Sequence, residues 1–304
     1  MAKRAFLFPG QGSQFVGMAK DLHDNSDLSK EMISKAEEAI GVDISKIMFE
    51  GPEDSLKQTD ITQPAIFLHS MLLSALIKSI KPDMVAGHSL GEYSALVAAN
   101  AVDFIDAFKL VRYRGQFMLQ AGIEQPGTMA AVIGLPMEKL EEICKVASSE
   151  GIVQCANFNS PGQVVISGSI DGVMAAMAMS KSNGARLVKQ LVVSGAFHSP
   201  LMQSASDKLK EKLEITDFRN AEIPVYANVT AKPVTDKDEI RNLLLAQLNA
   251  PVRWEETIRN MIEDGTDEFV EVGPGKVLQG LVKRINNDVS VSGIDKFSDV
   301  ERYL

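Results

Sequence analysis

The chain has 304 residues, of which 45% are hydrophobic and 23% are charged, and its formal net charge is -9 at pH 7. This composition is that of a folded protein whose core can support one large α/β domain or a large domain with a smaller one. The negative charge argues against nucleic-acid binding, which needs a basic face. The richest apolar stretch, residues 65–80, contains His69 and Lys78 and is shorter than the ~20 residues that span a bilayer. We therefore expect no contact with nucleic acid or membrane.

The cysteines and the N-terminal residues predict the compartment. Only Cys144 and Cys155 occur, and their spacing matches neither a metal site nor a Cys-x-x-Cys motif, as is typical of a reducing environment. The apolar run at residues 5–8 stops at Pro9 and Gly10, which is too short for the core of a signal peptide. A cytoplasmic protein without a bound metal is the expectation.

The first part of the chain alternates between strands and helices. A helix rich in apolar residues is predicted to open at Thr62, with Thr62 as its candidate cap and Pro64 in its first turn. The other elements predicted in this part are strands at 4–8 and 84–86 and helices at 27–40, 92–99 and 104–120.

After the linker at 125–127 the pattern changes to β-α-β-β-α-β, the order of a ferredoxin-like unit. We predict a small ferredoxin-like subdomain at 126–192, inserted into a large catalytic domain formed by 1–125 and 193–304. The predicted strands of the small unit are 129–133, 153–158, 163–167 and 186–192, and its helices are 137–148 and 172–182.

In the last part of the chain, strands again alternate with helices. This alternation implies a mainly parallel sheet covered on both faces, so the predicted fold class is an α/β-hydrolase-like core with the inserted subdomain. The predicted strands are 223–228, 268–272 and 289–294, and the predicted helices are 204–213, 238–247, a segment ending at 264, and 278–285.

The sequence Gly-His-Ser-Leu-Gly at residues 87–91 lies between a predicted strand and a predicted helix. This setting is that of a nucleophile elbow, in which a serine occupies a strained turn and glycines let neighbouring backbone pass close by. We therefore predict that Ser89 is a nucleophile. The N–H of Leu90, at the start of the following helix, is free to face a developing oxyanion.

The loop that follows the first strand, at residues 9–14, contains Gly10, Gln11 and Gly12. Two glycines allow its backbone to approach a ligand closely. It lacks the lysine of a phosphate-binding loop. An ordinary strand-to-helix turn is an equally good interpretation of these residues.

A serine nucleophile needs a base, and the chain has four histidines. His23 lies in a polar segment, His69 in an apolar helix and His88 inside the elbow, so His198 is the best candidate for the base. The alternative is that His198 caps the helix starting near residues 199–200. No carboxylate in a recognisable loop orients the imidazole, since Asp103, Asp106 and Asp171 follow no core strand. A neutral carbonyl is the alternative acceptor.

Arg112 and Arg114 lie two positions apart on a predicted helix and therefore point to different faces. One of them can face the cleft beside Ser89 and bind a substrate carboxylate in a bidentate way. Helix geometry alone does not choose between them.

Six motifs together resemble the malonyl-CoA:acyl carrier protein transacylase family and occur in the family's order. They are FPGQGSQ at 8–14, TQPA at 62–65, GHSLGEYSAL at 87–96, RYRGQFM at 112–118, AFHS at 196–199 and PVRW at 251–254.

The resemblance implies a ping-pong transfer in fatty-acid biosynthesis, in which malonyl moves from malonyl-CoA to a serine and then to the phosphopantetheine thiol of acyl carrier protein. No cofactor is implied. The catalytic residues would be Ser89, His198 as general base and Gln247, whose backbone carbonyl orients the imidazole. The N–H groups of Gln11 and Leu90 would form the oxyanion hole.

The same resemblance assigns Arg114 to the malonyl carboxylate and places Gln63 in the pocket. Leu90 and Phe197 match the malonyl-selecting form of related acyltransferases, and a bulky Phe197 would disfavour a methyl group on the substrate. The family is usually monomeric. A serine hydrolase and a non-catalytic docking module for the carrier are the rival hypotheses.

The carrier is acidic in this family, so its attraction to an acidic chain must be local. Candidate docking residues are Lys181, Arg186, Lys189, Lys283 and Arg284.

Overall fold

A computed structural model describes residues 3–303, and it contains two sheets. The strands are β1 (Lys3–Phe8), β2 (Met84–Gly87), β3 (Gly127–Ile133), β4 (Val153–Ser160), β5 (Gln163–Ser169), β6 (Leu187–Gln190), β7 (Val225–Tyr226), β8 (Pro233–Val234), β9 (Thr266–Val272) and β10 (Ser290–Ile294).

The larger sheet has the strand order β10-β9-β1-β2-β7-β8. All its pairings are parallel except the one between β7 and β8 at one edge. Alternate residues of β1 enter opposite layers: Phe6 and Phe8 join the larger hydrophobic cluster, whereas Ala5 and Leu7 join a second one. A strand buried on both faces is what a parallel sheet between two helix layers requires.

The smaller sheet has the order β4-β5-β3-β6 and is antiparallel. With its two helices it gives the β-α-β-β-α-β sequence of a ferredoxin-like unit. The predicted fold class is therefore confirmed, because a mainly parallel sheet is accompanied by an antiparallel subdomain. The boundaries at 126 and 192 stay a prediction.

Helices pack against both sheets. They are α1 (Lys20–Asn25), α2 (Asp27–Ile40), α3 (Ile44–Glu50), α4 (Glu53–Leu56), α5 (Thr59–Leu76), α6 (Gly91–Ala98), α7 (Phe104–Glu124), α8 (Met137–Ala147), α9 (Ile170–Ser182), α10 (Gln203–Ile215), α11 (Lys237–Gln247), α12 (Trp254–Glu263), α13 (Val277–Ile285) and α14 (Phe297–Val300), with 3-10 turns at Pro200–Met202 and Glu301–Tyr303. Among residues 3–303, no helix combines the length and the apolar character needed to cross a membrane.

The prediction for the start of the buried helix α5 is wrong. The helix begins at Thr59 with Gln58 as its N-cap, so Thr62 lies inside it and its hydroxyl bonds the carbonyl of Leu56. Pro64 then falls in the second turn and cannot donate to the carbonyl of Asp60. The Asp60 carbonyl instead accepts from the guanidinium of Arg112 on α7.

Candidate active site

The turn between β2 and α6 has the strained backbone of a nucleophile elbow. Ser89 has φ 52°, a left-handed conformation that non-glycine residues seldom adopt. A Cβ on Gly87 would lie 1.9 Å from the carbonyl carbon of Gly91, and one on Gly91 would lie 2.0 Å from the carbonyl oxygen of Phe8. Only glycine fits at both positions, so the close packing of strand, turn and helix fixes where Ser89 stands.

Ser89 and His198, which are 109 positions apart, meet at hydrogen-bond distance. The Oγ of Ser89 lies 2.8 Å from His198 Nε2, and His198 Nδ1 lies 2.8 Å from the backbone oxygen of Gln247. A carbonyl oxygen only accepts, so Nδ1 carries the proton and Nε2 is the unprotonated nitrogen. The hydroxyl of Ser89 therefore donates to His198. This arrangement suits proton abstraction from the serine.

The loop before α10 presents His198 in a left-handed conformation, with φ 57°. The alternative that His198 caps the following turn is wrong, because the side chain of Ser199 accepts from the N–H of Leu201 there. The backbone oxygen of His198 accepts from Gln154 Nε2 at 2.8 Å. Gln154 lies on β4, so the smaller sheet fixes this loop.

The imidazole of His198 is uncharged. Burial, followed by the positive charge of Arg114, lowers the pKa of His198 from 6.5 to about 3. A buried imidazole loses the hydration that favours its charged form, and a nearby cation opposes protonation further. His198 is thus ready to accept a proton across the neutral pH range.

Of the two candidate arginines, Arg114 is the one that faces Ser89. Its side chain is 1% exposed, and its Nη2 lies 3.0 Å from Ser89 Oγ and 2.9 Å from Gln247 Oε1. Its Nη1 donates to Gln63 Oε1 at 2.7 Å. Arg112 instead pairs with the Asp60 carboxylate at 2.9 Å. A guanidinium stays charged when buried, so the site contains a fixed cation beside Ser89.

A cavity of about 260 Å³ opens over Ser89. Gln11 and Leu90 line it together with Ser89. Within residues 3–303, the N–H groups of Gln11 and Leu90 make no hydrogen bond to protein, which leaves both available to a ligand oxygen. The apolar residues in the wall of the cavity include Met118, Met129, Val165, Leu191, Val193, Phe197 and Leu281.

Sequence reasoning missed two residues that contact the elbow. Glu92, on α6, is 3% exposed and accepts from Gln247 Nε2 at 2.8 Å. Asn228, just beyond β7, accepts from the Ser89 N–H at 2.6 Å and donates to the Gly87 carbonyl at 2.7 Å. Glu92 follows Ser89 by less than one helical turn, a spacing that signals proximity. Asn228 has no comparable local signal.

Two of the other three histidines are buried in contact with structural partners. His69 is 1% exposed, and its Nε2 lies 2.8 Å from the backbone oxygen of Asp295. His88 Nε2 lies 2.8 Å from Asn159 Oδ1, and burial lowers the pKa of His88. Within residues 3–303, no group of three or more His, Cys, Asp or Glu side chains could hold a metal ion. The geometry therefore leaves His198 as the histidine that contacts Ser89.

Known proteins share both the sequence and the fold. The family model described as an acyl transferase domain matches residues 5–296. The malonyl CoA-acyl carrier protein transacylase of Bacillus subtilis (strain 168) is 45% identical over 304 residues, covering 99% of this chain and 96% of its own length. The solved structure of the corresponding transacylase from Coxiella burnetii has a TM-score of 0.95 and 38% identity, and the match covers 99% of this chain and 96% of that one.

A second solved structure bears on partners. It is a malonyl-transacylase in complex with a type II PKS acyl-carrier protein, and it matches 100% of this chain and 99% of its own with a TM-score of 0.95 and 39% identity. Full-length matches at these identities confirm the resemblance that the six motifs carry. The chain belongs to the malonyl CoA-acyl carrier protein transacylase family, a family of acyltransferases.

Proposed function

We propose that this chain transfers malonyl from malonyl-CoA to the phosphopantetheine thiol of acyl carrier protein, in fatty-acid biosynthesis. The observation that carries the proposal is the buried guanidinium of Arg114, whose Nη2 lies 3.0 Å from Ser89 Oγ in the wall of the cavity. A fixed cation beside a serine nucleophile fits a substrate whose free carboxylate is separated by one methylene group from the acyl carbon under attack.

In the first half-reaction, Ser89 Oγ attacks the thioester carbonyl and its proton passes to His198 Nε2. The carbonyl oxygen becomes an oxyanion, which the N–H groups of Gln11 and Leu90 bind. The carbon–sulfur bond then breaks, and the proton on His198 goes to the departing CoA sulfur. The product is a malonyl ester of Ser89, with Gln247 orienting the imidazole throughout through its backbone oxygen.

The second half-reaction is the reverse with another thiol. The carrier's phosphopantetheine sulfur gives its proton to His198 and attacks the malonyl ester. The tetrahedral intermediate collapses, the ester bond to Ser89 breaks, and the proton returns from His198 to the serine oxygen. Because the two half-reactions share one site and a covalent intermediate, the scheme is ping-pong. Side chains of the protein make every proton transfer in it, so the proposed reaction uses no cofactor.

Arg114 would bind the malonyl carboxylate with the two nitrogens that now contact Gln63 and Gln247. Gln63 also donates to the sulfur of Met118 at 3.4 Å, so it connects the cation to the apolar wall. Phe197, 6% exposed, lines the same cavity. A methyl branch on the substrate would have to displace this ring, although one methyl group changes selectivity by only ~1 to 3 kcal/mol.

The carrier surface is proposed to include exposed basic residues near the cavity. Arg284 on α13 contacts the side chain of Gln163, which lines the cavity. Lys283 is also exposed. The candidate surface also includes three exposed residues of the ferredoxin-like unit: Lys181, Arg186 and Lys189.

One chain contains every residue proposed for the reaction, so we propose that the monomer is the active form. The thiols of Cys144 and Cys155 are free, which fits a reducing location such as the cytoplasm.

Intact-mass spectrometry tests this function. Brief mixing with malonyl-CoA should add ~86 Da to the wild type, as a covalent serine intermediate requires, and nothing to Ser89→Ala. Adding carrier protein should move the adduct to the carrier. Loss of the adduct as free malonate would favour a serine hydrolase, and transfer that survives Ser89→Ala would favour a docking module.

A further inference from the structure

Glu92 is a buried carboxylate in the active site to which the reaction steps assign no role. Its side chain accepts from Gln247 Nε2 at 2.8 Å and from the backbone N–H of Asn228 at 3.0 Å. It is 3% exposed, and burying a carboxylate is costly unless hydrogen bonds stabilise it. This buried carboxylate lies one position after Gly91, the second glycine of the elbow.

The side chain of Gln247 lies between Glu92 and Arg114. Its Oε1 accepts from Arg114 Nη2 at 2.9 Å, and its Nε2 donates to Glu92 and also to the backbone oxygen of Ser89, at 3.1 Å. A carboxylate only accepts and a guanidinium only donates, so the amide has a single orientation that satisfies both. Glu92, together with the backbone oxygen of Ser89, thereby holds the amide nitrogen of Gln247 so that its oxygen faces Arg114.

Asn228 links Glu92 to the nucleophile by a second route. Its backbone N–H donates to Glu92, while its side chain accepts from the Ser89 N–H at 2.6 Å and donates to the Gly87 carbonyl at 2.7 Å. The carboxylate of Glu92 therefore bonds two residues: Gln247, which contacts Arg114, and Asn228, which contacts the elbow.

We propose that Glu92 is a positioning residue for the transfer reaction, acting through the side chain of Gln247 to aim Arg114; this role rests on the proposed function. A serine hydrolase places its acid directly on the catalytic histidine. Here the histidine bonds the backbone oxygen of Gln247, and the acid bonds the side chain of the same residue. In this chain the carboxylate therefore does not bond the histidine. It bonds the side chain of Gln247, which in turn contacts Arg114.

A double-mutant cycle tests this arrangement. The variants are Glu92→Gln, which removes the charge at constant size, and Gln247→Met, which removes the amide but keeps the backbone oxygen for His198. Each single change should lower kcat/KM for malonyl-CoA by about 10- to 100-fold, the range for a hydrogen bond to a charged group. The double variant should fall no further than the worse single variant, because both changes break one linkage.

The substrate preference provides the readout that a merely structural role would not change. Both single variants should lower malonyl transfer more than acetyl transfer, since an acetyl group does not use Arg114. Losses that multiply in the double variant, or equal losses for the two acyl groups, would overturn the proposal. So would a Glu92→Gln enzyme with unchanged kcat/KM.

Folding is followed by thermal melting. If Glu92→Gln does not fold, Gln247→Met alone must still show the malonyl-selective loss, and its absence refutes the proposal. Labelling of Ser89 by a fluorophosphonate distinguishes failure of the proposed transfer reaction from failure of the role of Glu92. The label reacts with an active serine and does not require binding of a malonyl group. Wild-type protein that takes the label without forming a malonyl adduct would refute the proposed function. Malonyl transfer by the wild type, combined with losses in kcat/KM that multiply in the double variant, would refute only the role of Glu92.

Discussion

The hydroxyl of Ser89 stands between a base and a cation: its oxygen accepts from Arg114 Nη2 at 3.0 Å while its proton points to His198 Nε2 at 2.8 Å. The cation favours the serine alkoxide, yet it also lowers the pKa of His198. A substrate carboxylate placed on Arg114 offsets that second effect. Binding of an acidic acyl group therefore raises the proton affinity of the base just when it is needed.

Replacing Arg114 should change which acyl group is transferred. We expect Arg114→Ala to reduce kcat/KM for malonyl-CoA by about 10²- to 10³-fold, since two charge-assisted hydrogen bonds to the carboxylate are lost. Acetyl transfer should fall less, because an acetyl group has no carboxylate for Arg114 and loses only the effect of the cation on Ser89. Arg112→Ala is the matched control, because Arg112 lies on the same helix but pairs with Asp60; its ratio of malonyl to acetyl transfer should equal that of the wild type. Parallel losses of both activities in Arg114→Ala would exclude the carboxylate role.

The elbow should not tolerate a methyl group on its second glycine. In Gly91→Ala the new Cβ would meet the carbonyl oxygen of Phe8 at 2.0 Å, and we expect a loss of about 1 to 3 kcal/mol or more in the free energy of unfolding. Gly280→Ala is the control, because Gly280 also lies in a helix but has no atom within 4 Å of its Cβ position. It should gain roughly 0.4 to 1 kcal/mol. Urea unfolding measures both, and a stable Gly91→Ala protein would contradict the packing argument.

The acidic limb of the pH profile should come from Glu92 and not from His198. Burial raises the pKa of Glu92 to about 7, and its hydrogen bonds and the charge of Arg114 on α7 offset part of that rise. The phenol of Tyr93 is the other titratable group beside Glu92. Protonation of Glu92 removes the charge that orients Gln247, so kcat/KM for malonyl-CoA should fall as the pH drops through about 7. His198, with a pKa of about 3, stays neutral over that range.

The kcat/KM for malonyl-CoA of wild type and Glu92→Gln, measured at subsaturating substrate from pH 5 to pH 9, checks the assignment, because kcat/KM reports the free enzyme. The variant should be slower but lack the limb near pH 7. A limb that persists unchanged in the variant would assign it to another group.

The basic surface on α13 should affect the carrier alone. Reversing Lys283 and Arg284 to Glu should raise the apparent KM for acyl carrier protein severalfold and leave that for malonyl-CoA unchanged, since rim charges act mainly on encounter with a charged protein. Reversal of Lys30 and Lys35 on α2, a helix that does not line the cavity, is the control with equal charge change. An equal effect of the two double variants would point to net charge and not to docking.

Local signals predicted much of this fold. The helix at 27–40 ends at Gly41, which adopts the left-handed conformation expected of a C-cap, and the strand-turn-helix at the elbow follows from its glycines. The start of α5 was predicted wrongly because its N-cap, Gln58, makes no side-chain cap bond. Local pattern also offers nothing for contacts such as Glu92 with Gln247, which lie 155 positions apart. Such pairs depend on how the sheet brings distant segments together.

Family resemblance and geometry contributed differently to the site. Motif matches assigned Arg114 over Arg112, a choice that helical spacing left open. The contacts explain that choice, since Arg112 is occupied by Asp60.

Pro64 has an effect that extends beyond its own helix. Because it lacks an N–H, the carbonyl of Asp60 is left for Arg112, which thereby ties α7 to the first turn of α5. Arg114 lies two residues further along α7 and therefore points to a different face of that helix from Arg112. The position that Pro64 leaves unpaired in the backbone ladder of α5 thus becomes a contact between two helices, and Gln63, the residue before it, contacts Arg114 on the same neighbouring helix.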